Sequence, residues 1–173
     1  MDTTTFANGC FWCTEAIFKR LRGVISVVPG YSGGELENPT YEQVSAGNTG
    51  HFEAIQIKFD PEKISYEDLL YVFFKTHNLT QKDGQGADIG TQYLSKVFYH
   101  NDGQKEVAEK LKQELQKDYD APIATEILEF KNFYEAENYH KDYYSKNPNA
   151  PYCKLVIDPK IKKMKENYSK YLK

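Results

Sequence analysis

The segment Asn8-Gly9-Cys10-Phe11-Trp12-Cys13-Thr14-Glu15-Ala16 lies between a strand-like run, Thr3 to Ala7, and a helix-like run from Phe11 to Arg22. Asn8-Gly9 breaks the strand, and Trp12, Ala16 and Lys19 then fall on neighbouring helical rows. Gly23 closes that helix and Val24 to Val28 reads as a second strand, so the chain opens on a β-α-β unit. Two of the three cysteines, Cys10 and Cys13, sit three residues apart at the start of the helix. A helix N-terminus offers unpaired N–H groups and partial positive charge, which predicts a thiol of lowered pKa there. Phe11 and Trp12 read as the exposed walls of a small apolar receptor beside it.

Beyond this segment, Pro29-Gly30-Tyr31-Ser32-Gly33-Gly34 through Tyr41 reads as a long loop. His51 to Phe59 alternates, with His51, Glu53, Ile55, Ile57 and Phe59 on one face. Glu53 thus shares a face with core residues, where burial would favour its neutral form and make it a hydrogen-bond donor or general acid. A strand-end carboxylate in solvent, or paired with a lysine, is the equal alternative.

Ser65 caps a second helix carrying Leu69, Leu70, Phe73 and Phe74. A second long loop, Asn78 to Thr91, precedes a strand at Ser95–Tyr99. Asp102 caps a third helix bearing Val107, Leu111, Leu115 and Tyr119, and Ala124 to Phe130 reads as a strand. The aromatic stretch Phe133 to Tyr144 reads as partly helical, and Asn147 to Cys153, with two prolines and two asparagines, as irregular. The element order predicts an α+β fold, a two-layer sandwich with a mixed sheet around a ferredoxin-like split βαβ core. We expect one catalytic domain over residues 1–173, with a flexible C-terminal tail (about 145–173) carrying Cys153 and a lysine-rich segment that reads as helical.

Composition narrows the function. With 22 basic and 25 acidic residues, a formal charge of -3 and a pI near 5.8, neither nucleic acid nor an anionic membrane is an expected partner. Three cysteines are too few and odd in number for a disulfide framework, and no leader-like N-terminus or membrane span is legible. The expectation is a cytoplasmic protein, taken as a monomer. A zinc site lacks the second half of its ligand set, so no metal and no cofactor are expected. A thioredoxin-like dithiol accounts for Cys10 and Cys13 but leaves Glu53 unused. A thiol that reduces an oxidised substrate and is regenerated by a neighbouring thiol uses all three cysteines and the acid.

Five spaced blocks resemble the A-type peptide methionine sulfoxide reductases, and together they cover nearly the whole chain. They are Gly9-Cys10-Phe11-Trp12; Gly30-Tyr31-x-Gly33-Gly34 with Asn38-Pro39-Thr40-Tyr41; Gly50-His51-x-Glu53-Ala54; Asp88-x-Gly90-Thr91-Gln92-Tyr93; and Glu137-Asn138-Tyr139-His140-Lys141. The resemblance implies that Cys10 attacks the sulfoxide sulfur and becomes a sulfenic acid. It implies that Phe11 and Trp12 receive the substrate methyl, that Glu53 protonates or binds the sulfoxide oxygen, that Tyr41 and Tyr93 hydrogen-bond that oxygen, and that Asp88 supports the site. It also implies reduction of methionine-S-sulfoxide, free or in proteins, through an intramolecular disulfide that thioredoxin reduces. A sulfoxide is a poor electrophile until its oxygen is protonated or strongly hydrogen-bonded, which agrees with these roles.

Many members have Gly where this chain has Cys13, and recycle through cysteines in the tail. Either Cys153 or Cys13 can resolve the sulfenic acid; Cys153 is placed first, with Cys13 as relay or alternate. The alternative reading is a thiol-disulfide exchange or redox-sensing module.

Overall fold

The computed structural model describes all residues, Met1–Lys173. Strand β1 (Asp2–Ala7) runs into a turn at Gly9, and helix α1 (Phe11–Phe18) leaves it. Gly9 has φ 86°, and a Cβ there would stand 2.8 Å from Gln85 Cβ, so both conformation and space demand glycine. Helix α1 ends at Phe18 rather than Arg22. Leu21 instead bridges to Leu172, and the Arg22 N–H donates to the Tyr171 carbonyl at 2.8 Å, so the chain's last residues capture the stretch that local periodicity assigned to the helix.

Strand β2 (Val24–Ser32) pairs antiparallel with β3 (Phe52–Phe59) along its whole length. It continues four residues past the expected end at Val28. Pro29 permits this because its carbonyl accepts from the Ala136 N–H, which puts its missing donor on the side away from β3. Gly30 is required next, since a Cβ would lie 2.4 Å from the Tyr134 carbonyl oxygen.

The expected first loop then shortens to the residues before a one-turn helix α2 (Tyr41–Ser45). Thr40 and Gln43 form a reciprocal capping box that starts it, a T-x-x-Q signal present in the sequence.

Helix α3 (Tyr66–Lys75) follows β3, with Ser65 as its cap. The second expected loop contains a tight hairpin, β4 (Gly84–Gln85) and β5 (Asp88–Ile89). Strand β6 (Lys96–Tyr99), helix α4 (Asp102–Gln116) and strand β7 (Glu126–Glu129) complete a parallel crossover, and β8 (Tyr134–Glu135) adds an edge. The sheet is mixed, in the order β7-β6-β1-β3-β2-β8.

Alternation along each strand splits neighbours between its faces. Phe6, Ile55, Ile57 and Val97 join the helices in the larger core, while Ala7, Ala54 and Phe98 form a small cluster on the other side. Every residue of α1 except Trp12 is buried, so this short helix is fixed by packing; each large apolar side chain enclosed contributes about 1.5–3 kcal/mol.

Helix α5 (Tyr143–Lys146), an irregular stretch to Ala150 and a helical lysine-rich segment, α6 (Asp158–Asn167), agree with expectation, but the helix already starts at Pro151 and passes through a π-helical stretch, Cys153–Ile157, so Cys153 is not on an irregular segment. Cys153 is fully buried in the main core, and the lysine-rich helix α6 anchors itself through Ile161 and Met164. No helix is long and apolar enough to cross a membrane.

Candidate active site

Cys10 is the N-cap of α1, with extended backbone angles, and its side chain stays free of the capping role. The helix-terminus argument predicts a lowered thiol pKa, and the structure reverses it. Burial, then the negative charges at Glu53 and Cys13, push the Cys10 thiol well above its ordinary value, against a lesser downward pull from the Trp12 backbone N–H. Burial is the main reason, and the first helical N–H is engaged elsewhere: Phe11 N donates to Glu53 Oε1 at 3.2 Å.

Glu53 is 1% exposed, and burial raises its carboxyl to about 8, with Asp88 adding to the rise and the Phe11 N–H opposing it. At neutral pH the group is therefore predominantly a carboxylic acid. Oε1 accepts from Phe11, while Oε2 is buried without a partner, so the acid proton sits on Oε2 and is available to a ligand. A protonated Glu53 also removes one of the charges that hold the Cys10 thiol neutral. The core-facing alternative for Glu53 is the one realised, because β3 delivers its odd-numbered side chains to the helix-covered face.

The remaining expected residues converge on this pair. Tyr41, at the first position of α2, and Tyr93, at the end of a 3₁₀ turn Thr91–Tyr93, both have their phenols pushed upward by burial and then by Glu53; Cys10 also acts on each. Both remain donors. Asp88 arrives on the β4–β5 hairpin and accepts from the Tyr152 hydroxyl at 2.7 Å. Tyr152 also lies 3.3 Å from the Cys13 sulfur, and burial with the nearby thiols raises its phenol far above the ordinary range. With Tyr152 donating to Asp88, the Cys13 thiol is the donor to Tyr152.

Phe11 is not an exposed wall. It is 1% exposed and supports the site from behind, 5.8 Å from the Tyr31 ring and 5.0 Å from the His140 ring. Trp12 is the partly open face, stacked on Tyr143 at 3.7 Å and 6°.

Cys153 is buried in the main core and its charge acts on Cys13, while Cys13 in turn acts on Cys10. Lys160 pulls the Cys13 thiol down, partly offsetting the burial that raises it.

Sequence reasoning assigned no role to three groups that hold the site. His140 Nδ1 accepts from the Trp12 indole N–H at 3.0 Å, and the His140 ring lies 4.4 Å from Tyr41. Glu137 accepts from the Tyr31 hydroxyl at 2.8 Å and the Tyr41 backbone N–H at 2.9 Å. Glu15, buried in α1 and raised to about 7 by that burial, accepts from the Asp142 N–H just before the α5 turn that carries Tyr143. The block Glu137–Lys141 was visible as a motif, but its partners lie more than 90 residues away, so nothing local named them. Burial lowers the His140 pKa and keeps the ring a neutral acceptor. His140→Phe should leave the Trp12 N–H unpaired and raise KM for substrate about tenfold or more, with kcat changed far less. Steady-state kinetics check this, and a loss confined to kcat would contradict it.

No group of three or more His, Cys, Asp or Glu side chains is arranged to hold a metal ion. A thiol beside a neutral carboxylic acid, two phenol donors and an aromatic wall defines a thiol oxidoreductase built for an oxygen-bearing substrate. A family model described as peptide methionine sulfoxide reductase matches residues 2–172. The peptide methionine sulfoxide reductase MsrA of Thermus thermophilus is 52% identical over 172 residues, 99% of this chain and 98% of its own. Among solved structures, Mxr1 from Saccharomyces cerevisiae in reduced form gives a TM-score of 0.81 at 36% identity, covering 88% of each chain. Mxr1 in complex with Trx2 gives 0.57 at 26% identity, covering 82% of this chain and 84% of that one. The chain belongs to the peptide methionine sulfoxide reductase family.

Proposed function

We propose that this chain reduces methionine-S-sulfoxide, free or in proteins, to methionine, and that thioredoxin returns it to the dithiol state. The observation that carries the mechanism is the buried, neutral Glu53 with an unpartnered Oε2 in the same site as the Cys10 thiol. The substrate methyl packs on Trp12 above Phe11, and its oxygen takes hydrogen bonds from Tyr41 and Tyr93. As Glu53 gives its proton to that oxygen, the Cys10 sulfur attacks the sulfoxide sulfur, and the thiol proton passes to the Glu53 carboxylate just formed. The oxygen passes to Cys10, so the substrate sulfur is reduced by two electrons and Cys10 becomes a sulfenic acid.

Cys13 then takes the first resolving step in place of Cys153. It lies one helical turn from Cys10, with its N–H on the Cys10 carbonyl at 3.1 Å, a separation that a disulfide spans with local adjustment of the first turn. Attack by the Cys13 sulfur expels the sulfenic oxygen as water. Exchange with Cys153 passes the disulfide to Cys13–Cys153 and frees Cys10; this step needs the tail from about residue 145 to loosen, since Cys153 is buried at rest. Thioredoxin's dithiol reduces that disulfide.

The order β6-β1-β3-β2, with α1 and α3 as the covering helices, supports a two-layer ferredoxin-like split βαβ core within a single catalytic domain. We take the protein to act as a cytoplasmic monomer with no cofactor. The separate S and R epimers of a methionine sulfoxide peptide, with thioredoxin, its reductase and NADPH, test the assignment. Methionine should form from the S epimer alone with one NADPH per product; turnover of neither epimer, or of R, would refute it.

A further inference from the structure

Helix α6 has a cleft beside it that the reductase chemistry leaves unused. It has a volume of about 300 Å³ and is lined on one side by Lys160, Lys163, Met164 and Tyr168, and on the other by Lys75, His77, Asn78 and Gln85. Three lysines therefore line one cavity with no acidic residue in its walls, in a chain whose formal charge is -3. None of the three is in an ion pair: the five salt bridges of the molecule use Lys19, Lys63, Lys96 and Lys141.

One wall is tied by hydrogen bonds. The Gln85 carboxamide exchanges two hydrogen bonds with the Asn78 backbone, at 2.8 and 3.1 Å. His77 is tied through Nδ1 to the Phe73 carbonyl at 2.6 Å and through Nε2 to Ser95 Oγ at 2.9 Å. Asn78 uses its carboxamide oxygen on Thr80, which leaves its nitrogen free to donate. Lys75 Nζ lies over the Tyr71 ring, 5.8 Å from its centroid, and no carboxylate neutralises the three like charges that line this cleft, so they repel one another until a counter-charge enters.

We propose that this cleft is a binding site for a small oxyanion of the phosphate class, held by Lys75, Lys160 and Lys163. A free phosphate or phosphate ester fits better than a lipid headgroup, because the site is a concave cleft and the net charge of the chain disfavours an anionic surface. The cleft also adjoins the active site: Gln85 packs on Gly9, next to Cys10, and Lys160 is the cation that acts on Cys13. An anion held there would offset that cation, so occupancy would bear on the recycling thiol.

The test is a titration of the full chain with inorganic phosphate against sodium chloride at matched ionic strength, followed by calorimetry and amide chemical shifts. The expected result is saturable binding to phosphate alone, with shifts centred on Lys75, Asn78 and Lys160. K160A/K163A should weaken it by about tenfold or more through loss of charge-assisted bonds. K162A/K165A removes the same charge from α6 outside the cleft and should leave affinity unchanged. Equal responses to phosphate and chloride, or equal losses in the two double variants, would overturn the proposal. Thermal unfolding of both variants separates lost binding from lost fold.

Discussion

Glu53→Gln is expected to slow single-turnover formation of methionine by about 10²–10³-fold, the usual scale for removing a positioned general acid. Glutamine keeps the bond from the Phe11 N–H and can still donate through its amide, so what it removes is the transferable proton. The pH dependence makes the role specific. Glu53 donates while protonated, so the wild-type chemical step should fall as pH rises through about 8, the value to which burial raises the group. The variant should lack that limb. A wild-type rate that stays flat from about pH 7 to 9.5 would remove Glu53 from the donor role.

The same group predicts a change in stability. Its folded pKa of about 8 lies above its unfolded value near 4.5, so the native state holds the extra proton between those limits and loses stability as pH rises through them. Glu53→Gln should therefore be more stable than wild type at pH 8 and above, by an amount of order a few kcal/mol. Denaturant unfolding at about pH 5 and about pH 8.5 measures the difference, which should shrink at the lower pH.

Cys13→Ser should retain one stoichiometric burst of methionine and then stop. Without the neighbouring thiol, the Cys10 sulfenic acid loses the advantage of an intramolecular reaction, so steady-state turnover with thioredoxin should fall at least about 100-fold. The companion variant decides the order of events. In Cys153→Ser, one equivalent of sulfoxide without reductant should leave no free thiol, because Cys10 and Cys13 have paired. One remaining thiol together with a trappable sulfenic acid would mean that Cys153 is the sole resolving group.

Much of this site was legible in the residues. The period-two run from His51 to Phe59 put Glu53 on the face of Ile55 and Ile57, and burial of that face then decided its protonation. Asn8-Gly9 ahead of Cys10 marked the strand-to-helix turn, and Thr40 with Gln43 held a capping signal for α2 that the surrounding glycines and prolines obscured. What escaped were the couplings across long sequence separations. Trp12 to His140, Tyr41 to Glu137 and Glu15 to Asp142 each join opposite parts of the chain, and no spacing rule names such partners.

Local pattern was enough for the α+β architecture and the thiol at the head of α1, because periodicity and turn chemistry act over a few residues and survive in any packing; it put Glu53 on the face of Ile55 and Ile57 but left its burial open. The state of the thiols came from the packed molecule. The Phe11 N–H that would have favoured a Cys10 thiolate is taken by Glu53, and desolvation outweighs what remains of the helix terminus. Cys153, on a segment whose prolines and asparagines read as irregular, is buried because Ile157, Ile161 and Met164 draw it into the core. Both outcomes depend on surface removed from water by distant parts of the chain, a quantity that no local pattern contains.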